Sequence, residues 1–229
     1  MATNVALVGS TGLVGSQILT TLANLPNVTT IHAFSRKEIS GGPKIQGITS
    51  SDSAAWPTQY PSGAQLFLSA LGTTRAQAGG FDKQRKIDYD LNLDLAKAAK
   101  AAGTKAYVLI SSGGANSSSA LGGYMKMKGE LEDAVKALDF DHTIIVRPGL
   151  LVGSRNDTRT AELAIQKVAS FMGAISGNRL KDFWAQDADT VARAAVKAGM
   201  DALEGKQTEK IRVLSQSDII TLGRTEWKQ

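Results

Sequence analysis

Short blocks of almost unbroken apolar residues alternate along this chain with stretches of helical repeat. Val5 to Val8, Ala64 to Leu71, Lys105 to Ile110 and His142 to Val146 have the composition of strands buried on both faces. Val28 to Phe34 and Ile211 to Leu214 read as two further strands, and Ile45 to Ile48 as a weak one inside a Gly-, Ser- and Pro-rich segment, 40–63. Between them the apolar period lengthens to that of a helix. Residues 12–25 predict the first helix, closed by Pro26-Asn27. Asp82 to Ala102 predicts one continuous helix, with Ile87, Leu91, Leu95 and Ala98-Ala99 as its apolar stripe and Gly103 as its stop. Asn92 interrupts that stripe, either to bond helix backbone near a site or to face solvent. Tyr124 to Leu138 and Thr190 to Leu203 predict two more helices, the second capped by Asp189, and the tail from Ser217 a short one. Strand alternating with helix gives an α/β class with a doubly wound parallel sheet. We expect a single Rossmann-like domain over residues 1–229. Its cofactor part is about 1–150, and a small substrate-covering part, about 151–185, contains Arg155, Arg159 and Trp184.

Composition narrows the chemistry. The chain has 229 residues, 42% of them hydrophobic, which suffices for a sizeable core. It has no cysteine, so disulfides, thiol nucleophiles and thiolate-bound metals are excluded. His32 and His142 lie in strand-like runs and read as ordinary strand residues, so no metal site is expected. The net charge of +5 suits an anionic cofactor or a negatively charged surface, but no basic run suggests nucleic-acid binding. The first strand begins near residue 4, so no presequence is expected. No apolar run approaches the roughly 18 residues of a membrane span, so any membrane association is expected to be peripheral.

The strongest motif is Gly9-Ser10-Thr11-Gly12-Leu13-Val14-Gly15, set between the first strand and the first helix. Glycines in such a turn let the backbone approach a pyrophosphate, which the bare helix N-terminus then attracts. The spacing is G-x-x-G-x-x-G rather than G-x-G-x-x-G. After the second strand comes Ser35-Arg36-Lys37, where an NAD site would carry an acid for the ribose 2′-hydroxyl. A cation there pairs with a 2′-phosphate, so NADP(H) is expected over NAD. Leu71-Gly72 ends the strand expected beside the first, at the sheet edge where α/β ligands bind. Trp56 reads as a packing residue. On a helical wheel Tyr124, Lys128, Leu131, Val135 and Leu138 fall within about 80° of one another, whereas Lys126, Glu132, Asp133 and Lys136 fall elsewhere. Tyr124 and Lys128 are thus expected on the core-facing stripe, where a lysine needs a partner or a task.

GSTGLVG, SRK at 35–37, Ser111-Ser112 and Tyr124-x-x-x-Lys128, in that order, resemble the atypical branch of the short-chain dehydrogenase/reductase superfamily. LGTTR at 71–75, AKAAKAAGTKAYVLISS at 96–112, YMKMKGELE at 124–132 and RPGLL at 147–151 resemble the Tat-interacting oxidoreductase family, in particular its fungal relatives associated with the mitochondrial outer membrane. The resemblance implies an NADPH-binding Rossmann fold and a location on the cytoplasmic side of that membrane. It places the cofactor loop at Thr11 to Val14 and the 2′-phosphate at Ser35 and Arg36. Leu71-Gly72 would lie beside the adenosine half, Tyr124 and Lys128 beside the nicotinamide half, and Leu151 and Arg159 are added as cofactor contacts. It makes Tyr124 the proton donor and Ser112, or alternatively Ser111, the hydroxyl that binds the substrate oxygen. LGTT stands where the best-known reductases carry an Asn-Asn-Ala-Gly turn, which puts in doubt a proton relay through that turn's asparagine.

The chemistry then expected is reduction of a carbonyl-type small molecule, its identity open. A lysine ammonium one helical turn away and the positive charge of the oxidised nicotinamide should lower the tyrosine pKa by about 2–3 units, or roughly 3–4 kcal/mol. The alternative is an NADPH-binding sensing protein with little or no turnover. A serine hydrolase is excluded by the lack of a G-x-S-x-G elbow. The protein is expected to be a monomer or a homodimer.

Overall fold

The computed structural model describes residues 2–120, 123–152 and 185–228. Seven parallel strands form its centre: β1 (Thr3–Val8), β2 (Val28–Ser35), β3 (Ile45–Thr49), β4 (Leu66–Ser69), β5 (Ala106–Ile110), β6 (His142–Val146) and β9 (Ile211–Leu214). Their order is β3-β2-β1-β4-β5-β6-β9. This is the doubly wound parallel sheet expected, a Rossmann-like fold. Two short strands, β7 (Leu150–Val152) and β8 (Ala185–Asp187), pair in a small sheet of their own.

Alternation along β1 divides the core. Val5 and Leu7 face one layer with Ile18 and Leu22 of α1 (Leu13–Asn24) and the alanine-rich α6 (Ala188–Leu203). Ala6 and Val8 face the other, with Phe34, Phe67, Tyr107 and Phe140, Leu95 of α4 (Asn92–Ala101), and Leu131 and Val135 of α5 (Gly123–Lys136). Both layers are needed because a parallel sheet is apolar on both faces. Small residues on α6 let it lie close: a methyl on Gly199 would stand 2.9 Å from Leu66.

After β1 the chain passes into α1 on one face; after β4 it passes through α2 (Arg75–Ala78) and α3 (Phe81–Arg85) toward α4 on the other. The loops leaving these neighbouring strands therefore diverge and open a crevice at the C-terminal edge of the sheet.

Four expected elements differ. The single helix over 82–102 is instead α3, a π-helical turn at Lys86–Leu91 and then α4. A π turn inserts one residue into the helical repeat. This carries Asp88 and Asn92 inward beside Leu91 and Leu95, and all four are buried. Asp189 does not cap α6. The N-cap is Asp187, without a side-chain bond, and Asp189 lies in the first turn, where Oδ1 accepts the Thr190 N–H at 2.6 Å. Segment 53–59, read as loop, is a 3-10 helix whose Asp52 cap accepts the Ala54 N–H at 3.0 Å. The short tail helix, α7 (Gln216–Ile220), begins one residue earlier than expected, with a reciprocal cap between Ser215 and Asp218. Among the described residues no helix is long and apolar enough to cross a membrane. Most of the expected substrate-covering part, with Arg155, Arg159 and Trp184, lies outside the described residues.

Candidate active site

The glycine turn has one steric reason at each end. Gly9 has φ +81°, and a methyl there would stand 2.4 Å from the Ala70 carbonyl oxygen at the end of β4. A methyl on Gly15 would stand 1.9 Å from the Gly9 carbonyl oxygen, so α1 rests directly on the turn. Gly12 donates its N–H to Gly9 O at 2.9 Å and forms the N-cap of α1. No side chain caps α1 and its first turn has no acid, so its N-terminal N–H groups and partial positive charge are left for an anion.

A cavity of about 750 Å³ runs along this edge. Gly9, Thr11, Gly12 and Leu13 line its floor, Ser35 and Arg36 one end, and Ala70, Leu71, Gly72 and Thr73 the opposite wall. Ser10, Val14, Gly15 and Lys37, named with them from the motif, do not line it. Ser10 is buried and donates its hydroxyl to the Phe34 carbonyl at 3.3 Å, tying the turn to β2. Val14 packs into the core and Gly15 against Gly9. These residues shape the turn rather than face the cavity. Arg36 is exposed, with no ion-pair partner among the described residues. Ser53 and Trp56 also line the cavity. Trp56 packs as expected, its ring meeting Phe34 with centroids 6.0 Å apart, and it lines the cavity as well. Its Nε1 is buried with no hydrogen-bond partner among the described residues. Volume, glycine cradle and open helix N-terminus together fit a dinucleotide.

Thr73 also lines a second cavity of about 390 Å³, with Thr74, Arg75, Phe81, Gln84, Gly123 and Tyr124. Tyr124 occupies the first turn of α5. Here the wheel was too simple: Lys128, Leu131 and Val135 are buried, but Tyr124 is 40% exposed and opens to this cavity. Lys128 is 3% exposed and donates from Nζ to the Ile110 carbonyl at 3.1 Å. Burial pushes its ammonium pKa down, opposed by the carboxylates of Asp88 and Glu132. Without the nicotinamide charge, the direction in the protein alone is opposite to the one expected at the loaded site. Burial first, and the Asp88 carboxylate second, push the Tyr124 phenol up to about 12.

Glu132, placed off the core stripe by the wheel, is buried. It accepts the Ser111 hydroxyl at 2.5 Å and two donors from Arg147, Nε at 3.0 Å and an NH2 group. This network ties the ends of β5 and β6 to α5. It also occupies Ser111, whereas the half-buried Ser112 hydroxyl has no partner among the described residues. Asn92 bonds backbone rather than solvent: Nδ2 donates to Asp88 O at 3.0 Å and Leu71 O at 3.3 Å, and Oδ1 accepts the Ser69 hydroxyl. Leu151, in β7, packs against the first core layer and lines neither cavity. Arg159 lies outside the described residues. No metal-binding group of histidines and acids occurs among the described residues. His32 and His142 sit in β2 and β6, and His142 Nδ1 lies 3.3 Å from the Glu209 carbonyl oxygen.

Asp88, Glu132, Ser53 and Trp56 were not assigned to the site from sequence. Asp88 was hidden by the π turn, and Glu132 by a wheel that cannot show Ser111 and Arg147 converging on it.

Comparison with known proteins agrees with this geometry. A family model described as HIM1 matches residues 46–179, and one described as "Semialdehyde dehydrogenase, NAD binding domain" matches residues 4–78, which hold the glycine turn and Arg36. Among solved structures, MoeE5 in complex with UDP-glucose and NAD superposes with a TM-score of 0.68 at 15% identity, over 97% of this chain and 81% of that one. A short chain dehydrogenase family protein from Francisella tularensis superposes with a TM-score of 0.65 at 14% identity, over 95% of this chain and 99% of that one. At these identities the likeness shows the fold. "Protein fmp52, mitochondrial" of Aspergillus clavatus is 49% identical over 231 aligned positions, covering 96% of this chain and 98% of that one. The protein of the same name from Aspergillus fumigatus is 48% identical over the same shares of both chains. With identity at that level along nearly the whole of both sequences, the chain belongs to the Fmp52 family, and its middle segment carries the HIM1 signature.

Proposed function

We propose that this protein is an NADP(H)-dependent oxidoreductase of the atypical short-chain type that reduces a carbonyl-type small molecule. The carrying observation is that the two cavities share Thr73 in their linings, with Arg36, unpaired among the described residues, lining the first and Tyr124 the second. Gly9, Thr11, Gly12 and Leu13 would hold the pyrophosphate, Ser35 and Arg36 the 2′-phosphate, and Leu71, Gly72 and Trp56 the adenosine half. When bound, the cofactor supplies the hydride.

Tyr124 donates the proton to the substrate oxygen. A phenol raised to about 12 is fully protonated at neutral pH and so is held in the acid form that reduction requires. Lys128 stabilises the phenolate left behind, from a buried place where its charge is poorly screened. Ser112, rather than the occupied Ser111, orients the substrate oxygen. The same reading carries the resemblance to the Tat-interacting family and a peripheral place at the mitochondrial outer membrane, supported by relatives named mitochondrial.

The test is NADPH consumption against aldehydes, ketones and quinones. Tyr124→Phe should abolish turnover yet bind NADPH as the parent does; full turnover by that variant refutes the mechanism. Arg36→Ala should weaken NADPH roughly tenfold or more and leave NADH unchanged, as expected on loss of a charge-assisted pair. Equal effects on both cofactors refute the NADP assignment.

A further inference from the structure

Asp88 belongs to neither the glycine turn nor the tyrosine helix, yet it adjoins the surroundings of both. It lies 2% exposed in the π-helical turn Lys86–Leu91, which packs against α5. Its Oδ1 accepts the Thr73 N–H at 2.7 Å, and Thr73 is the residue shared by the two cavities. Gln84 braces the same loop by donating to the Thr73 carbonyl at 3.0 Å. A methyl on Gly72 would stand 3.7 Å from Oδ2, so the carboxylate backs directly onto the loop proposed to hold the cofactor.

Its neighbours make the charge consequential. The titratable groups acting with it are Lys128 and Tyr124, both on α5, and Glu132 of the same helix acts with it on Lys128. The other elements around it present neutral groups: Gln84 from α3, the Thr73 N–H from the loop after β4, and the Asn92 amide from α4. The 3-10 helix at Ser53–Gln59 contains no ionisable residue. A carboxylate so enclosed is costly to keep charged unless it acts on a partner.

We infer that Asp88 is a positioning residue that tunes the proton affinity of Tyr124 and Lys128 from behind the cofactor loop. Ionised, it raises the proton affinity of both; protonated, it leaves Tyr124 a readier proton donor and leaves Lys128 to the carboxylate of Glu132. This deepens the proposed reduction and rests on it only for its consequence in turnover. Burial pushes the Asp88 carboxyl up to about 6, so the change falls close to physiological pH.

The test needs no substrate. The full-length protein is labelled with tyrosine carrying ¹³C at Cζ, and the Tyr124 resonance is identified by its loss in Tyr124→Phe. In the parent this resonance should show an inflection near pH 6 that disappears in Asp88→Asn. In that variant the phenol's own titration should also fall by about one pH unit. A parent resonance without the inflection overturns the inference, whether or not the variant folds. So does a folded Asp88→Asn protein in which Tyr124 titrates as in the parent. A parent that shows the inflection but reduces no carbonyl supports the coupling and refutes the reaction proposed above.

Discussion

Replacing Gly15 by alanine separates the two tasks of the glycine turn. The new methyl would stand 1.9 Å from the Gly9 carbonyl oxygen and 2.6 Å from its carbon, far inside the 3.4 Å at which ordinary contact begins. Both partners are backbone, so relief requires α1 to move away from the turn by on the order of 1 Å, as an overpacked core shifts to admit a methyl. Such overpacking costs about 1–3 kcal/mol, and the better helix propensity of alanine returns up to about 1 kcal/mol. A net loss of about 1–2 kcal/mol predicts a fall in Tm of about 2–8 °C at this chain length. The displaced helix N-terminus should also weaken NADPH by at least about tenfold, equivalent to about 1.4 kcal/mol. Gly12→Ala is the contrast. Its methyl would stand 3.2 Å from the same oxygen, which a shift of a few tenths of an ångström relieves. It should therefore keep the parent Tm while losing NADPH affinity, because Gly12 faces the cavity. Differential scanning fluorimetry and calorimetric titration with NADPH measure the two effects. A Gly15→Ala protein with parental Tm and affinity would refute the close helix–turn contact as the reason for this glycine.

Glu132→Ala should remove the shared acceptor of Ser111 and Arg147. Loss of a buried partner costs about 3 kcal/mol or more, and the one-third exposure of Arg147 brings this to about 2–3 kcal/mol, because its guanidinium can rehydrate. A Tm within a degree of the parent would show that the network does not stabilise the fold. Stability should also depend on pH through Asp88. Its folded-state pKa, about 6, lies above the unfolded carboxylate value, so the folded protein binds the extra proton between the two. This contribution is fully present below about pH 4 and is lost as pH rises through about 6, a change of roughly 3 kcal/mol. Urea titrations from pH 4 to 8 should show a component that declines with pH in the parent and is absent in Asp88→Asn; identical pH profiles would refute it.

Legibility in the sequence followed the range of the cause. The strands of the main sheet were readable because burial on both faces demands continuous apolar runs, and Gly9 to Gly15 because a turn with positive φ and a helix resting on it are local requirements. Arg36 was readable for the same reason: it follows the end of β2 by one residue. The pattern over 82–102 misled because helical periodicity assumes a constant repeat, whereas packing against α5 and the cofactor loop accommodates a π turn that buries Asp88. Glu132 looked like a solvent-facing acid until Arg147, fifteen positions later, and Ser111, twenty-one earlier, met it in space. The sign of the Tyr124 shift was likewise out of reach. A wheel shows Lys128 one turn away and predicts a lowered pKa, but desolvation and the Asp88 field arise from elements distant in the chain and reverse it. Hydrophobic period and turn stereochemistry act over a few residues and so are written locally. Burial of charge and the field at a phenol are sums over everything packed around them, and only the assembled tertiary structure supplies their terms.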